Sequence, residues 1–198
     1  MLKKITLLLA TSLSLFALHT AELNINQKDL EVGVKFDIGQ FNDNVEPQTM
    51  FAGMKMLIPD TSNSSDTLSS IDPYFEGNFM IIRPVGDAGL SLGVGFKLNY
   101  TQVDNKSFMS LPVGIEASYE LPFPDLIPMF VEANVYYAPQ VLSFLDAKDY
   151  VEYRINYNIE MIQNVRLNIG YRNMSTNYFN QGNLNYNDSF NLGVRIGF

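Results

Sequence analysis

Ionisable side chains recur at every second position in several segments of this 198-residue chain, with apolar residues between them. In residues 151–160, Glu152, Arg154 and Glu160 alternate with Val, Tyr and Ile. Carboxylate and guanidinium groups can form paired ionic hydrogen bonds, and suitably spaced carboxylates can transfer protons. No spacing singles out a carboxylate pair, so the sequence predicts no catalytic residue and favours ion pairing as the role of these groups.

The chain has few residues suited to other catalytic chemistry or to metal binding. The chain has no cysteine and a single histidine, His19, which lies in a segment expected to be removed. Imidazole is the usual base for a nucleophilic serine and a common zinc ligand. We therefore predict a non-enzymatic protein with no cofactor and no metal site. The formal net charge of −8 argues against a nucleic-acid partner, since nucleic acids need a basic surface.

The first residues have the layout of a secretory signal peptide. Lys3 and Lys4 precede an uncharged, mainly apolar run at 5–18, and small residues follow up to Ala21. We predict that residues 1–21 are the signal peptide, cleaved after Ala21, and that residues 22–198 form one domain.

The last nine residues show the clearest structural pattern. Asn191, Gly193, Arg195 and Gly197 alternate with apolar residues, as expected of a strand with one face in lipid and the other in a polar interior. The terminal aromatic residue also resembles the carboxy-terminal signal that the outer-membrane assembly machinery recognises. The predicted assembly signal comprises Phe190, Leu192, Val194, Ile196 and Phe198.

The same alternation recurs along the chain and predicts an all-β fold, an antiparallel up-and-down transmembrane β-barrel. Counting back from Phe198 gives ten strands, with polar loops at 59–72, 101–107, 139–148 and 175–188 on one side. Ten strands require an unusually tight hairpin at Gln27–Asp29, so eight strands is the alternative. Bacterial barrels have an even strand count and long outer loops, which places these four loops outside.

If the apolar face meets lipid, charges of both signs point into a narrow lumen. Barrels of this size have interiors that side chains can fill, and buried charges are costly unless paired. We expect a packed salt-bridge network; the alternative is a narrow aqueous path. The predicted lumen charge network comprises Lys35, Lys97, Glu116, Glu132, Glu152, Arg154, Arg166, Arg172 and Arg195.

The carboxy-terminal part of the chain resembles the YfaZ family of small outer-membrane proteins. The resemblance is carried by FVEANVYYAPQVLS at 130–143, by Asp149-Tyr150, and by VRLNIGYR at 165–172. It implies an outer-membrane barrel and transfers no catalytic or ligand-binding residues.

The expected location is the outer membrane of a Gram-negative bacterium, with lipid, lipopolysaccharide and the assembly machinery as partners. The expected function is structural, or that of a narrow channel for small solutes. One alternative is a surface interaction protein acting through loops 59–72 and 175–188. Another is a soluble, lipocalin-like periplasmic barrel with its charges outside. The oligomeric state stays open.

Overall fold

The alternating segments form the strands of one antiparallel sheet. The computed structural model describes residues 19–60, 72–87, 89–103, 106–123, 127–179 and 182–198. Two short 3-10 helices lie at Ile38–Gln40 and Gln140–Leu142. The strands are β1 Thr20–Ile25, β2 Asp29–Asp37, β3 Met50–Pro59, β4 Tyr74–Val85, β5 Leu90–Val103, β6 Lys106–Ser110, β7 Val113–Glu120, β8 Met129–Ala138, β9 Ser143–Leu145, β10 Ala147–Ile162, β11 Val165–Tyr178 and β12 Gly182–Gly197.

The sheet closes into a barrel. Chain neighbours pair in sequence, β1 pairs with β12, and β4 pairs with β5. Strands β6 and β7 both pair with β5 and share one wall position, interrupted at Leu111–Pro112, while β9 pairs only with β6. The wall therefore has ten positions, so the ten-strand prediction is confirmed and the eight-strand alternative is wrong.

The two ends of the barrel differ. At one end, here the terminal end, the backbone of His19 pairs with that of Phe198. Tight turns join β4 to β5 and β10 to β11 at the same end. The opposite end, here the hairpin end, carries the β1–β2, β5–β6 and β11–β12 connections. The tight first hairpin is present: Asn26 Oδ1 accepts hydrogen bonds from the backbone N–H groups of Lys28 and Asp29 at 2.6 and 2.9 Å.

Apolar side chains cover the outside and charged side chains fill the inside. Leu192 and Ile169 are 57% and 56% exposed, whereas Glu31 and Arg172 are 0% and 1% exposed. Outward apolar and inward charged side chains are expected of a barrel in lipid. A lipocalin-like soluble barrel would have the opposite arrangement, so that alternative is wrong. Within the described ranges, no helix is long and apolar enough to cross a membrane.

Three of the predicted outer loops are largely regular structure. In the predicted loop 101–107, β5 continues to Val103 and β6 begins at Lys106. The segment predicted as loop 175–188 continues β11 up to Tyr178, and β12 begins at Gly182. The segment 139–148 contains the second 3-10 helix, β9 and the start of β10. In β11 the outward residues Asn173, Ser175 and Asn177 are polar, so apolar alternation does not reveal the extension of that strand. In the predicted loop 59–72, Pro59 ends β3, and residues 61–71 lie outside the described residues.

The predicted signal-peptide boundary falls inside β1. Thr20 and Ala21 pair with both β2 and β12. His19 Nδ1 accepts a hydrogen bond from the backbone N–H of Asp37 at 3.1 Å, and its ring stacks on Phe41. Residues 1–18 lie outside the described part of the chain, and cleavage after Ala21 stays a prediction.

Candidate functional site

An aromatic layer fills the lumen at the hairpin end. Its packing centres on Phe108, whose ring lies 5.4 Å from those of Tyr150 and Tyr186. Tyr74 Oη also donates a hydrogen bond to Tyr150 Oη at 2.9 Å. The members of this aromatic layer are Leu57, Tyr74, Phe108, Ala138, Ala147, Tyr150, Met174 and Tyr178, with Leu184 and Tyr186 packed against them.

The aromatic layer joins opposite walls of the barrel. Tyr186 comes from β12 and Tyr74 from β4, yet their ring centroids are 5.9 Å apart. Three strands, β1 to β3, separate β12 from β4 along the wall. Tyr186 and its hydrogen-bonded neighbour Tyr178 therefore reach across the lumen from the tip of the β11–β12 hairpin.

An ion-pair layer lies beneath the aromatic layer, and Glu31 is its centre. Arg154 donates to both carboxylate oxygens of Glu31 at 2.7 and 2.5 Å, and Lys55 Nζ lies 3.5 Å from Glu31 Oε1. Arg172 bridges Glu31 and Asp29, with Arg172 Nη2 at 2.7 Å from Asp29 Oδ1. Arginine suits this position because its planar group can bond carboxylates in a bidentate manner.

A second group of charges in the ion-pair layer centres on Lys97. Its Nζ atom lies 3.0 Å from Glu76 Oε2 and 2.7 Å from Glu152 Oε2, and 4.2 Å from the ring centroid of Tyr136. Tyr150 Oη donates to Glu152 at 3.1 Å, which joins this group to the aromatic layer. Removing one partner from such a buried pair costs about 3–5 kcal/mol, so the layer resists opening.

A vestibule of about 500 Å³ occupies the terminal end of the lumen. Arg195 donates to both oxygens of Glu132 at 2.8 and 3.1 Å, and its Nη2 atom lies 3.3 Å from Glu22 Oε2. Arg166 donates to Glu160 at 2.9 Å. These side chains retain partial exposure, so the vestibule is the part of the lumen that water can enter.

Two vestibule charges form no ion pair with a described residue. Lys35 Nζ lies 5.6 Å from the ring centroid of Phe51, and Glu116 accepts a hydrogen bond from Tyr136 at 2.9 Å. Both side chains line the vestibule beside Arg195 and Glu132. Of the nine predicted network residues, the structure thus places seven in ion pairs and these two beside them.

Sequence reasoning missed two carboxylates and the aromatic layer. Neither Glu22 nor Asp29 is among the inward-facing charges that the alternation predicts, yet both pair with arginines in the lumen. Continuing the alternation of β1 and β2 by one residue would have placed them inside. Tyr178 and Tyr186 lie in the segment predicted as loop 175–188, but they belong to the aromatic layer, whereas Phe179 is exposed.

The predicted assembly-signal residues lie at the end of the last strand. Phe190, Leu192 and Ile196 are exposed on the outer face of β12, and Phe198 pairs with His19 at the barrel seam. Among the described residues, no group of three His, Cys, Asp or Glu side chains is arranged to hold a metal ion.

Known proteins resemble this chain in sequence family and in fold. A search of the curated proteins found no match. A solved structure described as "NanC porin structure in rhombohedral crystal form" aligns with 91% of this chain and 98% of its own at 12% identity and a TM-score of 0.45. The family model "YfaZ precursor" matches residues 71–198, well over half of the chain. The chain therefore belongs to the YfaZ family.

Proposed function

We propose that this protein is a non-enzymatic, structural barrel of a Gram-negative outer membrane, with a resting lumen closed to ions and solutes. The observation that carries the proposal is the continuous filling of the lumen by the aromatic layer and the ion-pair layer. Phe108, Tyr150 and Glu31 are fully buried in it. The proposal selects the structural role over the narrow channel that the sequence left open.

The two layers oppose permeation by different means. A hydrophobic constriction excludes water and therefore hydrated ions. The ion-pair layer would have to lose contacts such as Arg172–Asp29 or Arg154–Glu31 before a solute could pass. Each broken buried pair costs several kcal/mol, so spontaneous opening is rare.

The terminal end is proposed to face the periplasm. Two of the four connections at this end, those between β4 and β5 and between β10 and β11, are short turns of the kind that bacterial barrels have on the periplasmic side. The vestibule then opens to the periplasm, and the aromatic layer faces the cell exterior. The apolar outer face contacts membrane lipid and lipopolysaccharide, and the outer-membrane assembly machinery recognises the strand that ends at Phe198.

The alternative of surface binding through loops 59–72 and 175–188 draws no support from the described residues. The second segment is a strand hairpin whose inward side chains, Leu184 and Tyr186, pack on the aromatic layer. Residues 61–71 of the first lie outside the described part.

Planar-bilayer recording tests the closed lumen. We expect wild-type protein to give no stepwise current. The double variant Phe108→Ala with Tyr186→Ala should give frequent openings, because it removes the centre of the aromatic layer. Tyr137→Ala, at an outward position on β8, is the matched control and should stay silent. Steady current from the wild type would overturn the proposal whether or not the double variant folds.

A further inference from the structure

We propose that the vestibule binds a small zwitterionic solute, such as an amino acid or a short peptide. This goes beyond the structural role, because it assigns a ligand class to the part of the lumen that stays open. Lys35, Glu116, Asn134 and Asn156 all line the vestibule and form the proposed site.

Most of the described charged side chains that line the vestibule form ion pairs, and two do not. Arg195 is shared between Glu22 and Glu132, and Arg166 is paired with Glu160. Lys55 and Arg154 line the vestibule floor and pair with Glu31. Among the described vestibule residues, one cation and one anion are left without an ion pair. A ligand that carries both an ammonium and a carboxylate group complements them.

Lys35 and Glu116 are also placed to act with their neighbours. Lys35 and Glu116 line the same cavity as Glu132 and Arg195. A ligand carboxylate near Lys35 can therefore also approach Arg195, and a ligand ammonium near Glu116 can also approach Glu132. Hydrogen bonds between ionised groups are the stronger ones in proteins, which favours a doubly charged ligand over a neutral one.

Two amide side chains of the vestibule wall also lack partners. Asn134 and Asn156 line the vestibule, and the Oδ1 atom of each is buried without a hydrogen-bond partner among the described residues. Asn156 Oδ1 lies over Gly170. Buried polar atoms in native proteins usually have partners. Both atoms are acceptors, so rotation of either amide toward the cavity would let it accept from an N–H group of an ammonium or a peptide bond.

The size of the vestibule sets the upper limit on the ligand. Its volume of about 500 Å³ falls within the range of small-molecule pockets, about 300–1,000 Å³. The ion-pair layer closes the floor of the vestibule, so a ligand that enters from the terminal end can leave only through that end. The inference is therefore one of binding, and it does not require transport through the barrel.

Isothermal titration calorimetry on the purified, folded full-length barrel in detergent tests this inference. The probe is trialanine with free ends, and the matched ligand is N-acetyl-trialanine amide, which has the same backbone without either charge. We expect saturable binding of the free tripeptide and at least about tenfold weaker binding of the blocked one.

Variants locate the binding to the vestibule. Lys35→Met and Glu116→Gln should each weaken binding of the free tripeptide by about fivefold to tenfold. Glu116→Gln keeps an acceptor for Tyr136. Lys28→Met, at the hairpin end, is the matched control and should bind as wild type. Circular dichroism confirms that each variant is folded.

Three results would overturn the inference: no saturable heat with wild type, equal binding of free and blocked tripeptide, or unchanged binding in both vestibule variants. None of them depends on conductance, so the closed-lumen proposal is tested separately. Wild-type silence in a planar bilayer combined with absent binding would retain the first proposal and remove this one.

Discussion

Asparagine side chains lie over glycines of neighbouring strands, most closely at Gly170 and Gly193. The space that a Cβ atom would occupy on Gly170 is taken by Asn156 Oδ1, and that on Gly193 by Asn24 Oδ1. Gly170 faces Asn156 across β10 and β11, and Gly193 faces Asn24 across β1 and β12. A side chain at either glycine must displace a buried amide and also crowd a backbone carbonyl.

Gly170→Ala should therefore destabilise the barrel by about 1–3 kcal/mol, the usual cost of overpacking. Gly77→Ala is the matched control, because nothing lies within 4 Å of a Cβ placed at Gly77 in β4. Urea titration of the barrel refolded in lipid vesicles measures both free energies of unfolding. Equal stabilities of the two variants would show that the lumen is looser than described.

Alternation in the sequence predicts where a residue faces but does not predict its partner. The inward facing of Arg172 follows from the alternation of apolar residues that leads up to it, from Val165 to Tyr171, and the structure agrees. Its partner Asp29 is 143 residues away in the chain. Such pairs depend on barrel closure and strand register, which a local pattern does not contain.

The β11–β12 hairpin shows why an element can be predicted in part. Between Val165 and Tyr171, and between Phe190 and Ile196, outward residues are apolar and the strands are evident from sequence. Beyond Tyr171, the outward residues Asn173, Ser175 and Asn177 are polar, because that part of the hairpin has no lipid to face. The strands continue there, supported by backbone pairing and by inward side chains of the aromatic layer.

Leu192→Arg and Phe179→Arg compare the two parts of this hairpin. The original side chains are similarly exposed, at 57% and 54%. Arginine at 192 should cost about 2–4 kcal/mol because that position faces lipid, whereas at 179, in the turn, the cost should be about 0–1 kcal/mol. Unfolding titrations in lipid vesicles measure both. Similar costs at the two positions would contradict the placement of β12 in the membrane.

At the scale of the whole molecule, the barrel has an apolar outer face, a lumen that is filled at the hairpin end, and an open vestibule at the terminal end. The number of strands and the inward or outward direction of their side chains could be predicted from alternation. Ion pairing in the lumen could be predicted because the inward charges are of both signs. The aromatic layer could not, because its members lie in segments that looked like loops or strand ends. Phe108 meets Tyr186 only when the barrel has closed.

The absence of cysteine from the chain allows the most direct test of the closed lumen. Ser118 lines the vestibule, whereas Ser110 is fully buried beside the aromatic layer. Single variants Ser118→Cys and Ser110→Cys are exposed to a water-soluble maleimide, with the protein folded in detergent. We predict rapid modification at 118 and modification at least about 100-fold slower at 110, because the latter requires local opening. Equal rates in the folded protein would show a continuous water path through the lumen and contradict the account.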